Sequence, residues 1–415
     1  MKIEQAHIDQ IKTVFEKMQC RLDLLNLLNK AKPMVYGDKA IPFELRQLSW
    51  YANPKLGGKR YTEFKIKKKS GTDRFIHSPV NGLKSIQKTL GFVLQCVYEP
   101  HTAAMGFVKD RSIVDNAKLH VGSKYVYNID LKDFFPSIDQ ARVWKCFQLK
   151  PFNLFGEITN QYSVDSGWVT EKRVGRKDIA NILASLCCTE MEVERKNETG
   201  EWEKVKRNVL PQGAPTSPVI TNIVCQKLDY LLTGVSKRFG LKYSRYADDI
   251  TFSSMHNVYQ PESEFLKELH RIIAEQNFHI KESKTRLQKD GYRKEVTGLL
   301  VNEKVNVQQR YIKQLRMWLY YWERYGYERA TGFFLQQYIA DKGHVKNGKP
   351  DMANVISGKL DYLKMVKGAD NELYLKLKDR FAALVGNINP IDELLNVWET
   401  HGINEAMDYY KNRNN

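Results

Sequence analysis

Tyr243-Ser-Arg-Tyr-Ala-Asp-Asp-Ile-Thr-Phe-Ser253 sets β-branched and aromatic residues on either side of two adjacent acids. The stretch reads as two strands with Asp248 and Asp249 at the bend between them. Adjacent carboxylates at a hairpin tip repel each other, and Asp is depleted in strands. A solvated turn would tolerate the pair, but the apolar strands on both sides weigh against that reading. Divalent cations relieve the repulsion. Hard oxygen ligands suit Mg²⁺, which keeps some waters and shares substrate phosphate oxygens. A third acid, Asp130, ends another β-rich stretch, Lys124-Tyr-Val-Tyr-Asn-Ile-Asp-Leu131. Taken alone, it reads as a capping or turn acid. Two metals held ~3.5–4 Å apart by such acids stabilise both the attacking and the leaving oxygen of an in-line displacement.

Working outward, Leu210-Pro-Gln-Gly-Ala-Pro-Thr-Ser-Pro218 leads into Ile220, Ile223, Val224, Leu228 and Leu231 at helical spacing, with Ser217 expected as the cap and Pro218 as the first helical residue. Residues 61–80 read as two short strands joined by a Ser-Gly-Thr-Asp turn, flanked by Lys67, Lys68, Lys69 and Arg74. Residues 8–30, 83–98, 177–192, 262–277, 308–326 and most of 327–415 read as helical. Residues 193–208 and 296–307 read as hairpins, and 150–176 as a loop-rich insertion.

The chain has 415 residues, too many for one core, so two or three subdomains in one continuous body are expected. No apolar run reaches the ~20 residues that a membrane span needs. The N-terminal stretch lacks the apolar core and cleavage site of a secretory leader, which predicts a cytoplasmic protein. Lys and Arg number 65 against 48 Asp and Glu, a net charge of +17, and 11% of residues are aromatic. A basic, ring-rich chain suits a polyanionic partner, nucleic acid before others. Cys20, Cys96, Cys146, Cys187, Cys188 and Cys225 form no C-x-x-C pair and read as reduced thiols. Neither H-E-x-x-H nor a phosphate-binding G-x-x-x-x-G-K loop is present.

Three blocks in this order carry a family resemblance. Tyr246-Ala-Asp-Asp249 resembles the Y-x-D-D motif of reverse transcriptases. Asn128-Ile-Asp-Leu-Lys-Asp-Phe-Phe-Pro-Ser-Ile138 is similar to their first catalytic strand, and Leu210–Pro218 to their L-P-Q-G-x-P-x-S-P block. Asn116-Ala-Lys-Leu-His120 resembles the N-A-x-x-H element of bacterial retron reverse transcriptases, and Val296-Thr-Gly298 their V-T-G element. Lys281–Arg286, Ile356–Tyr362 and Val366–Gly368 fit the same layout. The resemblance covers roughly residues 60–370. The insertion and the terminal residues 1–40 and about 380–415 depart from it.

The resemblance implies an α+β fold, a right-hand polymerase with fingers, an antiparallel palm sheet with helices, and a helical thumb. The expected divisions are an N-terminal extension over 1–59, fingers over 60–123, palm over 124–305 and thumb over 306–415. It implies that Asp130, Asp248 and Asp249, with the backbone carbonyl of Ile129, hold two Mg²⁺ ions. Lys67 and Arg74 would grip the dNTP triphosphate, where Arg binds bidentately. Gln212 would contact the nucleotide, and Gly213 would let the backbone approach it. Phe135 matches the sugar gate that favours dNTP, although a core aromatic is the plainer reading. Ala247 would leave room for the primer end, and Lys284 matches a lysine proposed to protonate leaving pyrophosphate.

Asn116 and His120 lie one helical turn apart and read either as a buried pair or as a contact to structured RNA. Val296, Thr297 and Gly298 would lie near primer or RNA. Arg310, Lys313 and Arg316 would track duplex phosphates, while the neighbouring aromatics read equally as core.

By the same resemblance, the partner is a cognate structured non-coding RNA. A 2′-OH in it primes synthesis of a branched RNA–DNA product, msDNA, in antiphage defence with a separate effector protein. Two alternatives remain open: another bacterial reverse transcriptase, of group II intron or defence-associated type, and a non-catalytic RNA-binding scaffold.

Overall fold

The computed structural model describes residues 4–53, 56, 59–67, 73–155, 176–342, 350–386, 397–399 and 402–413. Lys68, Lys69 and most of the expected insertion 150–176 lie outside them. The chain divides into two compact units, Met1–Thr297 and Gly298–Asn415.

The first unit opens with three helices, α1 (Gln5–Lys17), α2 (Arg21–Tyr36) and α3 (Leu45–Ala52). The hairpin β1 (Tyr61–Lys67) and β2 (Asp73–Pro79) follows, in register from Tyr61 opposite Pro79 to Lys67 opposite Asp73. Helix α4 (Asn81–Val97) buries Leu83, Ile86, Leu90, Val93 and Leu94, the positions that one helical stripe presents. Truncating such a residue, Leu90 for instance, to Ala costs about 2–5 kcal/mol. Short α5 (Ile113–Lys118) starts at a capping box: Ser112 Oγ accepts from the Val114 and Asp115 amides, and Asp115 accepts from the Ser112 amide.

Strand β3 (Tyr125–Asp130) is flanked on both sides, which explains its nearly unbroken apolar run. After α6 (Gln140–Gln148) and α7 (Arg176–Cys187) come the long hairpin strands β4 (Thr189–Lys196) and β5 (Trp202–Val209). The helix expected over 177–192 therefore stops at Cys187, and the hairpin expected over 193–208 begins earlier. The alternation of acids with Thr189, Met191 and Val193 is a strand pattern, and it pairs residue for residue with β5. Arg195 pins this hairpin by donating to the Pro136 carbonyl at 2.7 Å and to Asp139 at 2.9 Å.

Helix α8 (Ser217–Arg238) has Pro218 in its first turn, as expected. The cap differs from the expectation: Thr216 occupies the cap position, and the Ser217 hydroxyl instead donates to the Pro211 carbonyl at 2.6 Å, tying the helix to the preceding loop. Strands β6 (Lys242–Tyr246) and β7 (Asp249–Ser254), then α9 (Glu264–Glu275) and β8 (Arg286–Gln288), complete an antiparallel sheet of order β6-β7-β3-β8. Ile129, Ile250, Phe252, Phe265 and Leu269 share its core.

The second unit is helical: α10 (Gln309–Tyr325), α11 (Tyr327–Lys342), α12 (Met352–Lys367), α13 (Glu372–Gly386) and α14 (Ile403–Arg413). Rings hold it together. Trp318 meets Phe334 edge-on at 4.9 Å, Tyr321 stacks on Phe333 at 4.1 Å, and Trp322 meets Phe381 at 6.0 Å. For Trp318 and Trp322 the core reading is the right one, since both are buried. Among the described residues, no helix is long and apolar enough to cross a membrane.

Candidate active site

Strand register brings the acids together. Asp130, at the end of β3, stands opposite Asp249 on β7. Tyr246 on β6 also pairs with Asp249, which leaves Ala247 and Asp248 alone in the turn. Asp249 is thus the first residue of β7 rather than part of the bend. The Leu131 amide donates to the Asp248 carbonyl at 3.1 Å and ties the turn to the end of β3. Ile129 lies one step inside the ladder, opposite Ile250, with its side chain in the core.

Like charges facing each other across strands destabilise a sheet. Burial pushes the Asp248 carboxyl up, and the charge of Asp130 adds to it. Desolvation at the strand end and the fields of Asp248 and Asp130 push the Asp249 carboxyl up to about 6. Two cations oppose this. Lys284, in a short turn at Glu282–Lys284, ion-pairs with Asp130 Oδ2, and Lys284 and Arg74 both draw Asp248 back down. The side-chain donors are all carboxylate oxygens, and the raised Asp248 and Asp249 show that the nearby cations offset their repulsion only in part, which fits a hard divalent cation such as Mg²⁺. Among the described residues the acids are not already closed into a ligand cluster; Asp130 takes Lys284 instead.

Of the residues expected around the nucleotide, Arg74 lies near enough to act on Asp248, and the hairpin that carries it meets the Leu210–Pro218 loop. The His77 amide of β2 donates to the Gln212 carbonyl at 2.8 Å, which docks the β1–β2 hairpin on the Leu210–Pro218 loop. Gly213 has φ 118°, and a Cβ there would stand 2.7 Å from Ile76 Cγ2 and 2.9 Å from the His77 carbonyl oxygen. Lys67 and Arg74 are exposed on that hairpin. Phe135 is half-buried, with its ring centroid 5.5 Å from Phe134 and 6.2 Å from Phe107. Ala247 is buried at φ 57°, a left-handed conformation that a Cβ makes costly.

Three residues that hold this turn escaped the sequence reading. Arg245 is wholly buried and ion-pairs with Asp229 of α8, while its Nη1 donates to the Ala247 carbonyl at 3.2 Å and its Nη2 to Asn222 Oδ1 at 3.1 Å. Asn222 in turn donates to the Gly106 carbonyl at 3.0 Å. The signal was present: an arginine inside an apolar strand requires a buried partner. Asp229 and Asn222, on the apolar face of α8, were the candidates.

The direct RNA contact expected of Asn116 and His120 is corrected. Their exposures are 1% and 0%, so neither side chain can reach a ligand. Helix α5 ends at Lys118, and His120 lies in the turn beyond it, yet both side chains point to the same inner surface. His120 bonds Ser244 of β6 and Ser253 of β7, each at 2.7 Å, and Ser244 donates to Asn116 Oδ1 at 2.6 Å. Val296 is likewise buried, which corrects its expected contact; Thr297 is half-buried and Gly298 exposed. Arg310, Lys313 and Arg316 are exposed on one side of α10, where Arg310 also ion-pairs with Asp341 of α11.

The chain belongs to the reverse transcriptase (RNA-dependent DNA polymerase) family, whose model matches residues 66–299. Within that family it falls among the retron reverse transcriptases. It is 35% identical over 279 residues to Retron Mx162 reverse transcriptase of Myxococcus xanthus, covering 64% of this chain and 52% of that protein. It is 31% identical over 265 residues to Retron Ec86 reverse transcriptase of Escherichia coli, covering 62% of this chain and 68% of that protein. The match thus spans about half to two thirds of these relatives' length. A looser likeness, at TM-score 0.41 and 12% identity over 83% of this chain and 66% of the other, is to a telomerase from Candida albicans in complex with a fragment of telomeric RNA.

Proposed function

We propose that this protein is an RNA-directed DNA polymerase that copies a cognate structured non-coding RNA, priming from a 2′-OH of that RNA to leave branched msDNA. The observation that carries the reading is the register pair Asp130–Asp249 beside Asp248, in a chain of this family. The names of the retron relatives and the charge of +17 support the RNA partner.

Asp130, Asp248 and Asp249, with the Ile129 carbonyl, would hold two Mg²⁺ ions, which when bound activate the primer hydroxyl and neutralise the triphosphate. The chain's own groups supply position and charge, which carry most of phosphoryl transfer. Lys67 and Arg74 bind the triphosphate oxygens of the dNTP. Gln212 contacts the nucleotide, and the bare Cα of Gly213 keeps the hairpin and loop in touch beneath it. The Phe135 ring excludes a ribose 2′-OH, and Ala247 leaves space for the primer terminus. Lys284, released from Asp130, carries the proton for the leaving pyrophosphate oxygen. Arg310, Lys313 and Arg316 follow the duplex backbone. The protein works in the cytoplasm in antiphage defence, beside a separate effector protein.

The test is to purify the protein from cells that express its native locus and to compare it with an Asp248→Asn, Asp249→Asn variant. A discrete DNA that RNase shortens and the variant lacks is the expected result. Bound RNA without DNA, and without incorporation on a supplied primer–template, would leave an RNA-binding scaffold. Incorporation on the supplied template alone would leave a polymerase of another group.

A further inference from the structure

Residues of the two short elements that mark the retron resemblance, Asn116 and His120 of the first and Thr297 of the second, meet in one hydrogen-bond chain. Its direction can be derived donor by donor. The Ser244 hydroxyl donates its only proton to Asn116 Oδ1 at 2.6 Å. At its 2.7 Å contact with His120 Nε2 it must therefore accept, which places the imidazole proton on Nε2. His120 Nδ1 then accepts from the Ser253 hydroxyl at 2.7 Å, and Ser253 accepts from the Ser123 hydroxyl at 3.1 Å. On the other side, the Asn116 amide donates to Thr297 Oγ1 at 3.5 Å, and Thr297 donates to the Ile113 carbonyl at 3.5 Å. Every hydroxyl and imidazole proton in the chain has one acceptor, and the chain closes with a neutral histidine.

The placement of this chain matters more than its length. Ser244 lies four residues before Asp248, and Ser253 four residues after Asp249. Ser244 pairs with Thr251 across the ladder, so His120 bridges the two strands diagonally from beneath. A misplacement of the carboxylates by ~1 Å costs about 10²-fold in rate. A largely buried, continuous polar network is a rigid way to prevent it.

We propose that Asn116, His120 and Thr297 serve DNA synthesis as positioning residues: through Ser244 and Ser253 they set the hairpin that carries Asp248 and Asp249, and they touch neither RNA nor nucleotide. The inference rests on the polymerase reading for its effect on rate, but its structural claim stands without it. No part of the chain's burial leaves a face for a base or a phosphate at Asn116 or His120.

The experiment compares the full-length protein with Ser244→Ala, His120→Asn and Ser244→Thr. Incorporation is followed on an unrelated primer–template, affinity is measured for the RNA that co-purifies, and backbone amide exchange is read over residues 242–254. Ser244→Ala and His120→Asn are expected to lower the rate at saturating dNTP by about 10²-fold. KM for dNTP and Kd for RNA should hold, and Ser244→Thr, which keeps the hydroxyl, should recover the rate. Exchange over 242–254 should speed by about tenfold in the two broken variants, with α9 unchanged. An unchanged hairpin exchange overturns the inference. So does a loss of RNA affinity of about tenfold or more with the rate intact. Should the wild-type chain make no DNA at all, the polymerase reading fails, while the exchange measurement still decides this one.

Discussion

Asp229 of α8 takes the guanidinium of Arg245 on both carboxylate oxygens, 2.8 Å from Nε and 2.6 Å from Nη2, and solvent reaches neither side chain. The Tyr243 hydroxyl donates to the same carboxylate at 2.7 Å. The pair fastens the turn that carries Asp248 to a long helix, and Arg245 Nη1 holds the Ala247 carbonyl of that turn. Asp229→Ala leaves a buried guanidinium without its counter-charge and is expected to lower stability by about 3–5 kcal/mol, read from the denaturant midpoint. Arg245→Lys cannot reproduce the two-pronged contact, so it should lose most of the polymerase rate as well.

Removing one acid should separate folding from chemistry. Asp249 faces Asp130 across the ladder and is pushed up to about 6 by desolvation and its acidic neighbours. Asp249→Asn relieves that repulsion, so without divalent ions the variant should melt higher than the wild type. Adding Mg²⁺ should raise the wild-type Tm by mass action and leave the variant's nearly unmoved. Incorporation by the variant should fall to background.

Gly213 separates hairpin from loop by a single missing carbon. With φ 118° and a virtual Cβ 2.7 Å from Ile76 Cγ2, Gly213→Ala must push β2 away from the loop. The strain is of order 1–3 kcal/mol. Steady-state kinetics should show it chiefly as a higher KM for dNTP, because Arg74 shares that strand with Ile76.

Phe135 leans on Phe107, a non-glycine residue at φ 61°, at 6.2 Å between rings. If its ring closes the space beside the sugar, Phe135→Ala should admit ribonucleotides. Discrimination between dNTP and rNTP, as the ratio of kcat/KM values, should drop by about 10–10²-fold, or about 1.4–2.8 kcal/mol.

His120 predicts a pH dependence of stability. Burial, helped by the charge of Lys242, holds its imidazole down to about 3, against an ordinary value of 6.5. The unfolded chain takes up a proton between those values that the folded chain refuses. The contribution is therefore fully present above about pH 6.5 and declines as pH falls, by up to ~1.4 kcal/mol per pH unit. Denaturation measured from pH 7 to pH 5 should show this slope in the wild type and a shallower one in His120→Gln.

The acids, the Leu210–Pro218 loop and the hairpin at 61–79 were legible before any coordinates because their signals are local. Two adjacent acids between apolar strands, a Gly beside Pro residues, and alternating residues around a turn each state their chemistry within a few positions. The cap of α8 was misread at Ser217 because Ser is a good cap by type, and only the loop's path shows its hydroxyl bound to Pro211. The end of α7 was misread for a related reason: residues 189–192 suit either element until β5 supplies a partner.

Residue type and spacing singled out the acids that could hold a metal, the charge pointed to a polyanionic partner, and the family resemblance added the residues expected at a triphosphate. Tertiary structure alone established which way the polar groups face. Asn116 and His120 look alike on paper whether they serve an RNA or a strand, because spacing on a helix names a shared face but not what covers it. Arg245 of β6 finds Asp229 on the preceding helix, and His120 finds Ser253 from 133 residues away; a shift of one residue in either strand would turn each strand side chain to the opposite surface.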